Sequence, residues 1–396
     1  MWSDWPVLIE RNAYRKSAVW TASITLLLVG GFVASTIWLP PVAALCIGGV
    51  LALSGVALFA RPFWRNASLL LASLLLSLAG AEAAFGILAS PPVNRDVVKV
   101  STPSVWHDSD PIVGYRPRPN TTVDMLATYG DETVFHQTYT IDATGARLTP
   151  GSRAEGPTYL FIGDSFTFGE GLADDQTLAS NFARGLRHGG HVVNLGVLGY
   201  APSHLVRAME TGLYDRYVVG KVAAVVTWIA ATQLPRLTGD GGWLGSSPRF
   251  VLENGKLRHT GTFNEHRWSH PMAGVSYLAR TYLASVARTE TPALEDEQHA
   301  LFVALMARLR DLVRERYNAP LIVIYDWPDH EEPYAVDLRH IPTFYAIRDL
   351  GMPMVSIRKI IGQSDQWSNF LFPHDGHPNA RLAGLAAKDL LAVVDH

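Results

Sequence analysis

Tyr159-Leu160-Phe161-Ile162-Gly163-Asp164-Ser165-Phe166-Thr167-Phe168-Gly169 is the stretch on which the fold turns. Four consecutive apolar residues end at a glycine, and two small polar residues follow at once. A strand that is apolar at every position, not at alternate ones, is buried on both faces, as in a parallel sheet covered by helices. Outward from it the same pattern repeats. Strands are expected at His191-Val192-Val193-Asn194, Ala223-Ala224-Val225-Val226-Thr227-Trp228-Ile229, Leu321-Ile322-Val323-Ile324-Tyr325 and Met354-Val355-Ser356. Amphipathic helices are expected near 175–187, 202–215, 295–317, 339–349 and 379–394. Strands alternating with helices give an α/β class with a parallel sheet flanked by helices over 157–396. The stretch 237–294 exceeds an ordinary crossover and reads as an insertion beside the site.

In a doubly wound sheet, sites lie at the carboxyl ends of the strands. Two segments put reactive side chains there: Gly163-Asp164-Ser165, and His374-Asp375-Gly376-His377-Pro378-Asn379 just before the last helix. A serine hydroxyl attacks only when a base removes its proton, and a third group must hold that base in one tautomer. Ser165 suits the nucleophile, His377 the base and Asp375 the orienting carboxylate, delivered with the histidine on one loop. The serine does not sit in a Gly-x-Ser-x-Gly elbow, which argues against an α/β-hydrolase. Plainer readings exist for each piece. Gly-Asp-Ser is common in turns, Asp375 can cap the last helix, and His377 can be a solvated loop residue. Asp164 reads as a structural hydrogen-bonder of the turn. His374, Asp375 and His377 could together approach a metal, but three adjacent loop ligands without a fourth make a poor site, so no metal or cofactor is expected. The patch Asp326-Trp327-Pro328-Asp329-His330-Glu331-Glu332 has metal or acid–base residue types and reads as a solvated loop.

These segments resemble a known family, the SGNH (GDSL) hydrolases. Gly163-Asp164-Ser165-Phe166-Thr167-Phe168-Gly169 is similar to their first block, Asn194-Leu195-Gly196-Val197-Leu198-Gly199-Tyr200 to their second, and Asp375-Gly376-His377-Pro378-Asn379 to their last. The Gly114-Tyr115-Arg116-Pro117 stretch resembles the lead-in of membrane-anchored members. The resemblance implies an SGNH-hydrolase-like (flavodoxin-like) sheet and an acyl-enzyme on Ser165. It also implies an oxyanion held by the backbone N–H groups of Ser165 and Gly199. In the third block the family carries an asparagine that also donates to the oxyanion; here that position falls on Thr232, with Gln233 beside it. Losing one such donor typically costs about 10²–10³ in rate, so the substitution bears on efficiency more than on reaction type.

The first ninety residues are of another kind. Apolar runs at 18–39, 42–60 and 67–90 each have the roughly 20 residues that a helix needs to cross a bilayer. A signal peptide has one shorter run, so residues 1–90 read as a three-span transmembrane anchor. Arg11, Arg15 and Lys16 precede the first run, and Arg61 and Arg65 lie between the second and third. Positive segments stay in the cytoplasm, which places everything after about residue 91 outside. Glu82, the one formal charge in the third run, is expected near its outer end without a catalytic role. Residues 91–156 read as a linker and a small β-rich lead-in, with short strands at Thr133-Val134-Phe135 and Thr138-Tyr139-Thr140-Ile141 and a turn at Asp142-Ala143-Thr144-Gly145.

Composition narrows the function classes. A net charge of -3 without a long basic run gives no reason to expect a nucleic-acid partner. The hydrophobic fraction of 48% excludes a disordered chain, and the single Cys46 excludes an intramolecular disulfide. The expected function is a serine esterase anchored in the cytoplasmic membrane, acting outside on ester-linked acyl groups such as the O-acetyl groups of an envelope polysaccharide. An O-acyltransferase on a surface glycan would use the same triad, with transfer to a hydroxyl instead of water. A non-catalytic glycan-binding or scaffold protein of the same fold is the reading that Thr232 favours and the intact Ser165, His377 and Asp375 oppose.

Overall fold

The computed structural model describes residues 41–59, 61–89, 98–102, 105–239, 243–266, 277–325, 341–362 and 367–394. The first apolar run, the charges before it and the acidic patch at 326–332 lie outside these residues. The chain divides into two compact units, Met1–Asn94 with Arg267–Thr291, and Arg95–His266 with Pro292–His396.

In the first unit, helices α1 (Pro41–Phe59) and α2 (Pro62–Ala89) lie against each other. Each begins at a proline, whose fixed φ and missing N–H suit a first helical position. The arginine-bearing link expected over 61–66 is therefore much shorter, because Arg65 already lies in the first turn of α2 and its N–H bonds to the Arg61 carbonyl at 2.9 Å. At the contact between the helices Gly49 makes room for Leu75. A side chain on Gly49 would meet Leu75 at 2.6 Å, and Cys46, Ala57, Ala72, Ala79 and Glu82 are buried. Leu45, Leu58, Phe63, Leu70, Leu74 and Leu76 face outward. By length and composition Pro62–Glu82 could cross a membrane, and Leu45–Leu58 is a shorter apolar helix.

The second unit is built on five parallel strands in the order β12-β11-β8-β6-β7. They are β6 (Thr158–Gly163), β7 (His191–Gly196), β8 (Val222–Ile229), β11 (Leu321–Tyr325) and β12 (Met354–Ser356). The alternation of apolar strands and helices led to the parallel sheet; counted along the chain its order is 2-1-3-4-5, the flavodoxin-like arrangement that the resemblance implied. Side chains alternate between two cores. Leu160, Ile162, Val225, Leu321 and Val323 face α5 (Pro202–Glu210) and the part of α6 (Tyr277–Tyr317) from Pro292 onward. Tyr159, Phe161, Val226, Ile322 and Ile324 face α4 (Leu178–Gly185) and α9 (Ala380–Val394). The helix expected near 202–215 stops at Glu210, where Gly212 at φ 71° turns the chain away. The helix expected near 295–317, which crosses from β8 to β11, begins not at 295 but at Tyr277, and the stretch before it forms a hairpin of β9 (Pro248–Glu253) and β10 (Lys256–Thr262).

The lead-in, which begins with the short strands β1 (Lys99–Ser101), β2 (His107–Asp110) and β3 (Gly114–Pro117), is a folded layer of this unit. The two short strands expected at 133–135 and 138–141 are one strand, β5 (Glu132–Ile141), paired along its length with β4 (Thr121–Tyr129). Continuous pairing with a long partner, relieved by an irregularity at Ala127/Thr128, carries the strand through His136 and Gln137 where polarity alone suggests a break. Arg147 bridges β5 at Ile141 and the edge strand β7 at Asn194, its N–H donating to the Asn194 carbonyl at 3.0 Å. A third small core joins Trp106, Val123, Met125, Ala127, Phe135, Tyr139 and Ile141 to Phe168 from the Ser165 segment.

Candidate active site

Ser165 opens α3 (Ser165–Phe168), a single turn set directly on the end of β6. Asp164 caps it, its side chain accepting from the Phe166 N–H at 3.1 Å, and Gly169 ends it in the left-handed region at φ 86°. The turn lies so close to β7 that a side chain on Gly196 would sit 2.2 Å from the Phe168 nitrogen, which leaves only glycine room there. His377 comes from the loop before α9, where its carbonyl accepts from Phe372 N–H at 2.8 Å and Asn379 caps the helix through the Arg381 and Leu382 amides.

The structure brings Ser165, His377 and Asp375 together. His377 Nε2 is 2.8 Å from Ser165 Oγ, and its Nδ1 is 2.7 Å from Asp375 Oδ2. With an ionised Asp375 the Nδ1 carries the proton, leaving the Nε2 lone pair to accept from the serine hydroxyl. Phe166 presses edge-on against the imidazole, with ring centroids 5.1 Å apart. Burial pulls the His377 pKa down, but the hydrogen bond to Asp375 and the charges of Glu170, Asp375 and Asp164 outweigh it and hold the group above its ordinary value.

Gly199 follows β7 at φ 80°, in a turn that only glycine enters without strain. A side chain there would meet Trp243 Nε1 at 2.6 Å and Tyr115 Oη at 2.8 Å. The Tyr115 hydroxyl donates to the neighbouring Leu198 carbonyl at 2.7 Å, so the lead-in fixes this turn. Among the described residues neither the Ser165 nor the Gly199 N–H has a hydrogen-bond acceptor. Thr232 is in a short 3₁₀ turn after β8 with its side chain exposed, and the neighbouring Gln233 is turned inward, its amide donating to the Trp228 carbonyl at 3.2 Å. His374 turns to the lead-in, its ring stacked on Tyr129 with centroids 3.8 Å apart.

Three contributions were not read from the sequence. Glu170, nearly fully buried, places Oε2 3.4 Å from His377 Nε2. Its position directly after the Ser165 block was its one signal, a carboxylate in a run otherwise committed to a buried turn. Arg236 spans Asp164 Oδ2 at 2.9 Å and the Tyr200 carbonyl at 2.6 Å, pinning the turn before the serine to the loop after β7. Arg147, completely buried, donates to the Phe168 carbonyl at 2.7 Å and the Gly169 carbonyl at 2.6 Å, while Tyr139 Oη accepts from Gly171 N–H at 2.7 Å. No periodicity marks an arginine that satisfies carbonyls of a distant loop, so these partners emerge only from the fold.

No family model matches the chain, and no curated protein does. Among solved structures it is similar to a member of the lipolytic protein G-D-S-L family from Veillonella parvula, at 11% identity and a TM-score of 0.35 over 60% of this chain and 97% of that one. An acetyl xylan esterase from Geobacillus stearothermophilus aligns at 16% identity and a TM-score of 0.34, over 62% and 96%. Another acetyl xylan esterase, from Butyrivibrio proteoclasticus, aligns at 11% and 0.35, over 74% and 85%.

Proposed function

We propose that the chain is a membrane-anchored serine esterase of the SGNH type that cleaves ester-linked acyl groups outside the cytoplasm. The observation that carries this reading is the unbroken line from Asp375 through His377 to Ser165 Oγ at 2.7 and 2.8 Å. His377 Nε2 takes the Ser165 proton as Oγ attacks the ester carbonyl, and the tetrahedral oxyanion rests on the N–H groups of Ser165 and Gly199. The proton then passes to the departing alkoxide, and water, deprotonated by the same nitrogen, releases the acid from the acyl-enzyme. Two free backbone donors supply the oxyanion site; Thr232, short and exposed, is left as a marginal third.

For the anchor, α1 and α2 support the reading by burying small residues such as Cys46, Ala57, Ala72 and Ala79 while turning large apolar ones outward, the inverse of a helix pair in water. The three-span topology, with residues 1–90 in the membrane and the second unit outside, follows from the length and flanking charges of the apolar runs. An acylated envelope glycan, with O-acetyl as the group removed, is the substrate that such a placement offers.

Labelling by a fluorophosphonate tests the chemistry. Wild type is expected to label and Ser165→Ala not to; a folded wild type that stays unlabelled would favour a glycan-binding protein instead. Acetate release measured against transfer to an added oligosaccharide separates hydrolysis from O-acyl transfer. A reporter active only outside the cytoplasm, fused after residue 95, tests the topology, and an inactive fusion overturns it.

A further inference from the structure

The site holds more carboxylates than a serine, a histidine and one orienting acid require. Asp164 is paired with Arg236 at 2.9 Å, and Asp375 with His377 Nδ1 at 2.7 Å. Glu170, whose side chain is 10% exposed, has no ion pair with an arginine or lysine among the described residues; its close partner is the Nε2 side of His377 at 3.4 Å. The nearby Arg147 is committed to Asp174 and to loop carbonyls. The groups whose charge acts on Glu170 are thus Asp164 from the turn after β6, Arg236 from beyond β8, Tyr139 from β5, Arg147 from the lead-in, and Asp375 with His377 from the loop before α9.

We propose that Glu170 is a second carboxylate of the catalytic base, a positioning residue whose charge is matched only when His377 becomes an imidazolium. The inference rests on the esterase reading and deepens it. In the resting state the Nε2 lone pair faces Ser165 and the Glu170 charge is uncompensated in a buried setting. When the Ser165 proton moves to Nε2, the imidazolium lies between two carboxylates, Asp375 on one nitrogen and Glu170 beside the other. A fixed charge aimed at where positive charge develops stabilises the transition state without reorganisation, and more strongly in a water-poor site than in solution. Glu170 does not take the proton; that proton continues to the leaving alkoxide. The same charge holds the imidazolium against deprotonation at rest, so the active, neutral form of His377 is reached only at a higher pH. Burial works against both charged forms, while the Glu170 charge raises the His377 pKa and the imidazolium in turn favours the Glu170 carboxylate.

The test is the pH dependence of fluorophosphonate labelling at Ser165 in the full chain. Glu170→Gln, nearly isosteric, is expected to move the acid limb to lower pH by about half a unit or more and to lower the plateau roughly tenfold. Glu170→Asp, which keeps the charge, is expected to leave the limb near that of wild type. A Gln variant with a lowered plateau but an unmoved limb would reduce Glu170 to a structural part of the turn and overturn the inference while leaving the esterase intact. Failure of the wild type itself to label takes down both.

Discussion

The two sides of Ser165 are built to different standards. On the base side many side chains converge: Asp375 and Glu170 flank His377, Asp164 caps α3 and pairs with Arg236, and Arg147 and Tyr139 hold the chain after the serine. On the side proposed for the oxyanion, beyond β8, Thr232 is exposed and Gln233 is turned to the Trp228 carbonyl. Serine chemistry needs a proton acceptor in one place and tautomer, which takes many fixed partners. An oxyanion needs donors that backbone amides at a strand end already supply. The side that depends on side chains is therefore dense, and the side that can depend on backbone is sparse.

That contrast is open to being broken, beginning where the largest effects are expected. Asp375→Asn should lower kcat about 10³–10⁴-fold on a soluble acetyl ester while the protein stays folded, because the amide no longer fixes Nδ1–H. Removing Arg147 tests whether the dense side is also the stable side. Arg147→Met leaves the Phe168 and Gly169 carbonyls and Asp174 without their buried partner and should destabilise the second unit by about 3–5 kcal/mol, read by denaturant unfolding. Unchanged stability would mean that Arg147 does not clamp the serine turn to the lead-in. Gly199→Ala should cost roughly 10²-fold in kcat, since the new methyl meets Trp243 and Tyr115 and the positive φ disfavours it, displacing one donor. The smallest effect is expected at Thr232: Thr232→Val should change kcat by less than about threefold, whereas loss of a true oxyanion donor costs about 10²–10³-fold. A hundredfold fall there would show that the sparse side is not sparse.

The pH dependence joins both sides. His377 is held above its ordinary pKa, so it remains protonated and inactive to a higher pH than a free imidazole, and activity is expected to rise as the pH climbs through that elevated value. Asp375→Asn removes the hydrogen bond that raises it, and the residual acid limb should move toward lower pH.

Local chemistry made much of this legible in the sequence. Apolar strands such as 159–162 and 321–325 announce a sheet buried on both faces, and the residues at their ends announce Ser165, Asp375 and His377, because strand ends are where such sheets expose polar groups. The α1–α2 turn was legible only in part, since two prolines each start a helix and shorten the link that charge alone suggested. Other features were silent for a physical reason. Glu170, Arg236 and Arg147 act on atoms far along the chain, and nothing in a side chain's own neighbourhood records which distant carbonyl or imidazole it will meet. Sequence by itself determined the class of fold and singled out the three residues that the structure brings into one hydrogen-bonded line, because period and strand-end chemistry are local. Tertiary structure alone decided how that path is supported, placing a second carboxylate at His377, clamping the serine turn from the lead-in and turning Gln233 inward, because those are consequences of packing between segments that only folding brings together.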